Sequence, residues 1–247
     1  MSLDLNCDLG EWEHPARTRA LMRLIDSANV ACGGHAGDLD SMVRCVRLAR
    51  EFGVRLGAHP GHPGGDGFGR VEAPPTPSQL ALWVVQQAGL LARLAAHHGM
   101  TLHHVKLHGA LYHASEADAD LARAYVATMR AHFPGVAIYA LSGGRVVRAA
   151  RRAGVAAWDE LFADRGYGPD GRLIPRDQPG ALLGHPREVV ERLDQWLHTG
   201  RMATHAGGSL PLSGHTLCLH GDGREALALA AAVRKHLGPR LDTFVPE

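Results

Sequence analysis

Short β-like runs alternate with longer amphipathic segments along the whole chain, and this alternation restricts the fold more than any compositional figure. The runs fall at residues 3–7, 29–32, 54–58, 104–107, 136–141, 155–158 and 216–219. Helical patterns occupy 18–26, 39–52, 77–98, 117–132, 144–153, 186–198 and 224–237. Helix starts are marked by Asp38, by Thr76 before Pro77 and by His185 before Pro186, and Gly53, Gly99, Gly154 and Gly200 stand where helices should stop. Strand-then-helix alternation predicts a parallel sheet with right-handed crossovers. Seven strong runs suit a seven- or eight-stranded parallel (β/α) barrel, an α/β fold, as one domain over residues 1–247. No GxGxxG follows the first run, which weakens a dinucleotide-binding sheet. The chain has no GxxxxGK[ST] motif and only two lysines, Lys106 and Lys235, so it carries no P-loop of its own.

A net charge of +1 argues against broad capture of nucleic acid or an acidic membrane, and the arginines form no dense stripe. The residues before Asp4 lack the charged and apolar regions of a secretory signal, and polar residues interrupt the apolar stretch at 80–94. The expected compartment is the cytoplasm. Cys7, Cys32, Cys45 and Cys218 show no CxxC spacing and read as buried thiols. Residues 164–178 are rich in Gly and Pro but include Tyr167, Leu173 and Ile174, a composition expected of a hairpin or lid over the strand ends.

Seventeen histidines are the unusual feature. Those at 97, 98, 132, 198 and 236 sit on helix surfaces or ends; others directly follow strands. The first run delivers Asn6, Asp8 and Glu11, the second His35 and Asp38, the third His59 and the fourth Lys106 and His108. The sixth leads to Glu160, Asp164 and Arg165, and the last to His220 and Asp222. In a parallel barrel these positions open onto one face, where active sites form. Singly, Asp8 can be read as a turn carboxylate and His59 as a hydrogen-bonded structural histidine; jointly they point to a site. Asp8, His35, His59, His108 and His220 suit a divalent metal by ligand type. Metal-free acid–base chemistry is the competing reading, and the missing HxH or HExxH spacing favours it. Arg165 offers a fork for a substrate carboxylate, or else a structural pair with Asp164.

The segments DLNCDLGE (4–11), SANVACGGHAGD (27–38), GAHPGHP (57–63), GFGR (67–70), HVKLHGALY (104–112), ELFADRGY (160–167) and CLHGD (218–222) occur in order and closely resemble the LamB/YcsF family. That family supplies the A-type subunit of the prokaryotic ATP-dependent 5-oxoprolinase. The resemblance implies a barrel related to the glycoside hydrolase/deacetylase folds. It further implies cleavage of 5-oxo-L-proline to L-glutamate with coupled ATP hydrolysis, together with subunits B and C. Carried over to this sequence, the catalytic positions are Asp8, His59, His108, Glu160 and His220. The substrate-binding positions are Asn6, His35, Lys106, Asp164, Arg165 and Asp222. The alternative is a metal-dependent deacetylase or carbohydrate-active hydrolase on a related barrel. The stretch after Glu11 is shorter than the family's usual loop, Gly34 replaces a common Phe and Leu107 a common Pro; none of these removes a catalytic group.

Overall fold

The computed structural model describes residues 3–64, 66–69, 74–221 and 223–239. Its strands are β1 (Asp4–Leu9), β2 (Ser27–Ala31), β3 (Arg55–His59), β4 (His104–Lys106), β5 (Ala137–Leu141), β6 (Ala157–Phe162), β7 (Arg201–Thr204), β8 (Gly208–Pro211) and β9 (Thr216–His220). Strands β1 to β6 and β9 form a closed barrel in that order, every pair parallel, with β9 returning to β1. Seven strands close it, which resolves the choice between seven and eight. The helices α1 (Pro15–Met22), α2 (Leu39–Phe52), α3 (Pro77–His97), α4 (Gly109–Ala117), α5 (Ala119–His132), α6 (Arg145–Arg152), α7 (Pro186–Thr199) and α8 (Ala226–Leu237) provide the crossovers and the closing helix. None among the described residues is long and apolar enough to cross a membrane.

Local signals explain most boundaries. Asp38 Oδ1 accepts the Ser41 amide at 2.7 Å while Ser41 Oγ accepts the Asp38 amide, a reciprocal cap on α2. Gly53 and Gly200 end α2 and α7 in the left-handed conformation that a side chain would oppose. Three expectations need correction. The helix expected at 117–132 is α5, which starts at Ala119 because Asp118 leaves the helical region and its carboxylate caps the Asp120 and Leu121 amides, but α4 before it has no counterpart among the expected helices. The sixth strand runs on to Phe162, so Glu160 lies inside the barrel, not beyond the strand end. The antiparallel hairpin β7–β8 has no counterpart among the predicted runs.

The barrel interior is polar, unlike the Val/Ile/Leu layers usual in such folds. Period-2 alternation sends Leu5, Cys7 and Leu9 toward the helices and Asp4, Asn6 and Asp8 to the opposite face. Asp4 accepts from Ser27 Oγ at 2.6 Å and from Arg55 at 3.0 Å, at the bottom. Asn29 Nδ2 donates to Asn6 Oδ1 (2.7 Å) and Asp8 Oδ1 (2.8 Å), and its Oδ1 accepts from His104 Nε2 at 2.6 Å. Gly57 admits that imidazole: a Cβ there would stand 2.0 Å from His104 Nε2.

Burial pushes His103 down to about 4, with Arg55 adding to the effect, and burial likewise lowers His104, next to His103 and Lys106. Both rings are therefore neutral when folded, whereas unfolded histidine titrates near ~6.5. Depressed folded values mean that this contribution is complete above ~6.5 and declines as pH falls toward 4. His103 alone should cost on the order of 1–2 kcal/mol between pH 7 and pH 5. Urea midpoints at those two pH values should differ less in His103→Gln than in wild type; equal differences would remove His103 from the acid response.

Candidate active site

The ends of β1, β3, β4, β6 and β9 and the loops near them meet over the top of the barrel around a pocket of about 510 Å³. Asp8, Glu11, His59, Lys106, His108 and His220 all contribute to its wall. Glu11 is fixed by its short loop. The Glu13 carboxylate accepts the Gly10 and Glu11 amides, each at 2.7 Å, and Thr18 Oγ1 at 2.9 Å.

Lys106 holds the floor. Its Nζ lies 2.9 Å from Asp8 Oδ1, 2.9 Å from Glu160 Oε1 and 2.9 Å from Cys218 Sγ, with 2% of the residue exposed. Burial alone would depress the ammonium, but Asp8, Cys218 and Glu160 outweigh it and hold Lys106 protonated. Burial would raise Asp8, yet His59 and Lys106 hold it well below the usual carboxylate range. Asp8 is thus an anion at neutral pH. Its Oδ1 is committed to Lys106 and Asn29, while Oδ2 lies 3.5 Å from His59 Nε2 and 4.0 Å from His220 Nε2.

His220 has an orienting partner. Its Nδ1 is 3.0 Å from both oxygens of Asp164, which also accepts the His220 amide at 3.2 Å. A carboxylate on one ring nitrogen sets the tautomer and leaves Nε2 for proton transfer. Burial would raise Asp164, but the His220 charge and hydrogen bonds lower it. On the other side, His59 Nδ1 lies 2.8 Å from the Lys106 carbonyl oxygen and His108 Nε2 lies 3.0 Å from that of Phe68. Burial opposes charge on His59, but Asp8 and Glu11 reverse this and raise its pKa.

The sequence model of the LamB/YcsF family matches residues 3–243. The chain belongs to the LamB/YcsF family. It is also similar, at 36% identity and TM-score 0.90, to the crystal structure of a lactam utilization protein from Thermus thermophilus, over 99% of this chain and 100% of that one. A candidate cellobiose-phosphate cleavage protein from Enterococcus faecalis aligns with TM-score 0.51 over 98% of this chain and 97% of its own. At 10% identity that likeness shows the fold alone.

In this LamB/YcsF barrel the strand-end residues Asp8, His59, Lys106, His108 and His220 share one pocket wall. Asn6 shares the face of Asp8 but sits one layer lower, fully buried, donating to Glu160 (3.2 Å) and Thr216 (2.6 Å). Glu160 is likewise fully buried beneath Lys106. Both support the floor and neither lines the pocket. His35 stands behind the wall, stacked on His108 with ring centroids 3.5 Å apart and Nε2 2.8 Å from Glu11. Asp164 is spent on orienting His220. Arg165 lines the pocket, but its Nε and Nη2 donate to the Ala181 and Ile174 carbonyls, tying down the lid expected over 164–178. Its planar fork is occupied by backbone. Asp222 and Arg70 lie outside the described residues.

In the sequence Glu11 is visible only as a polar residue after the first strand; the structure makes it the hub of three imidazoles. Arg176, Tyr112 and His113 complete the pocket wall, and sequence reasoning misses all three. The HGALY segment places Tyr112 at the end of the first turn of α4, with His113 next to it, and that proximity to a strand-end histidine is a usable signal.

Proposed function

We propose that this protein opens the ring of 5-oxo-L-proline as the A-type subunit of a cytoplasmic ATP-dependent 5-oxoprolinase, with subunits B and C as partners. Full-length likeness to a lactam utilization protein carries the reading. The pocket's chemistry supports it. A five-membered lactam is a stabilised amide, and its opening is slow without coupling. ATP phosphorylates the lactam oxygen, a step we assign to the partners because this chain lacks a P-loop. Water then adds to the ring carbon, the C–N bond breaks and the nitrogen takes up a proton. A second water converts the resulting acyl phosphate to glutamate and phosphate. Asp8, anionic and with Oδ2 uncommitted to Lys106, positions the attacking water; His220, held by Asp164, delivers the proton.

Glutamate release from 5-oxoproline with ATP tests this, using the chain alone, the partners alone and the three together. Only the full set should turn over. Robust release by the isolated chain would show that the labour is divided otherwise, and none from the full set would remove the substrate. Acetate release from N-acetylated sugars by the isolated chain would support the deacetylase alternative instead.

Arg176 lines the pocket, and we assign its guanidinium to the substrate carboxylate. Arg176→Lys keeps the charge but loses the planar fork, so KM should rise more than kcat falls. Arg165→Lys should instead lower the thermal midpoint, having lost a lid tie. Kinetics and melting of both variants check the assignment; an unchanged KM in Arg176→Lys would withdraw it.

A further inference from the structure

Beside the Asp8–Lys106 floor, three atoms from three elements face one another with no donor among them that geometry requires. Glu11 Oε1 lies 3.2 Å from His108 Nδ1 and 3.7 Å from His59 Nε2, and the two imidazole nitrogens are 3.0 Å apart. The far nitrogen of each ring meets a backbone carbonyl oxygen, Lys106 O for His59 and Phe68 O for His108. A carbonyl oxygen only accepts, so those far nitrogens carry the protons. Each near nitrogen then has no fixed proton, and the two share with the carboxylate oxygen either one mobile proton or a bound cation. The three atoms, all in buried residues, repel unless one of these lies between them.

The spacing suits a metal ion. Bonds of ~2.0–2.1 Å to His nitrogen and carboxylate oxygen place tetrahedral ligand atoms ~3.3 Å apart, and edges of 3.0, 3.2 and 3.7 Å bracket that value. Ligating histidines almost always donate their other N–H to a carbonyl or carboxylate, an arrangement both rings already have. His35 also comes within reach of the cluster, but it lacks this support. Its Nδ1 is buried with no hydrogen-bond partner, so ligation through Nε2 would strand a proton there. His35 Nε2 instead donates to Glu11 Oε1 at 2.8 Å and aims the carboxylate.

We propose that Glu11, His59 and His108 bind one divalent transition-metal ion of the zinc type at the pocket wall, with His35 holding Glu11 in place. A two-histidine, one-carboxylate set leaves a coordination position toward the pocket, and a divalent ion there supplies Lewis acidity. The inference stands apart from the lactam reading, since it follows from ligand geometry alone.

The isolated full-length chain, treated with chelator and dialysed, is titrated with Co²⁺ in visible absorption and with Zn²⁺ by calorimetry. No lactam, nucleotide or partner is present, so the result is independent of the proposed reaction. One equivalent should bind, with the intense visible bands of a low-coordinate Co²⁺ site. Glu11→Gln, nearly isosteric and checked for folding by circular dichroism, should weaken binding by at least ~10²-fold, and His108→Ala should do the same. His35→Asn should keep the stoichiometry and the band positions while weakening binding by ~10–100-fold. Absence of stoichiometric uptake by wild type would mean that the three atoms share only a proton, overturning the proposal. Uptake insensitive to Glu11→Gln, or bands lost in His35→Asn, would overturn the assigned ligand set.

Discussion

In the reconstituted complex, Asp8→Asn should turn over ~10²–10⁴-fold more slowly than wild type, with little change in KM. The substitution preserves shape. Asn can still accept from Lys106 and Asn29 through one oxygen, the bonds now made by Asp8 Oδ1 at 2.9 and 2.8 Å. It replaces Oδ2, the atom 3.5 Å from His59 and 4.0 Å from His220, with a donor unable to take a proton from water. Asp8 is outside the proposed Glu11–His59–His108 ligand set, so Co²⁺ uptake by the variant should persist and separate the two roles. Steady-state kinetics with folding confirmed by circular dichroism decide the matter. Wild-type turnover in a folded variant would leave the histidines as the only credible bases.

The parts of this molecule governed by local chemistry are legible in the chain. Six of the seven barrel strands overlap an apolar run closely, and the helix stops at Gly53 and Gly200 are written as glycines because the left-handed conformation demands them. The strand β6 is clipped in the sequence reading because Asp159 and Glu160 look like a loop. They belong to the strand because Lys106 neutralises Glu160 in the polar interior while Asp159, on the opposite face, accepts the Gly143 amide and pairs with Arg151. Roles are harder to read than positions. The sequence suggests substrate for Asp164, but its partner His220 lies 56 residues away on a different strand, a pairing that no spacing rule reveals. It suggests a substrate carboxylate for Arg165, but the backbone carbonyls that occupy that side chain come from the folded lid. The role of Glu11 is hidden for the same reason. Its three histidines come from three different segments, joined only when the barrel closes.

Lys106→Met should destabilise the fold by about 3–5 kcal/mol, the usual cost of removing one partner from a buried ionic cluster. The ammonium touches Asp8 and Glu160 at 2.9 Å each, and neither carboxylate reaches water freely, with Glu160 fully buried and Asp8 4% exposed. Methionine fills comparable space but leaves Glu160 with only the neutral hydrogen bond from Asn6, and Asp8 with Asn29 and the His59 ring, in a low-dielectric interior. The penalty therefore lies mainly in the abandoned charges. Lys106→Met combined with Glu160→Gln should recover part of the loss, because one orphaned charge is removed while Asn6 retains an acceptor. Lys106→Arg should not substitute, since a planar guanidinium cannot meet three partners converging on a point charge. Urea unfolding of the three variants measures this. A Lys106→Met protein as stable as wild type, or a double variant no better than the single, would show that the lysine is not what holds Asp8 ionised at the pocket floor.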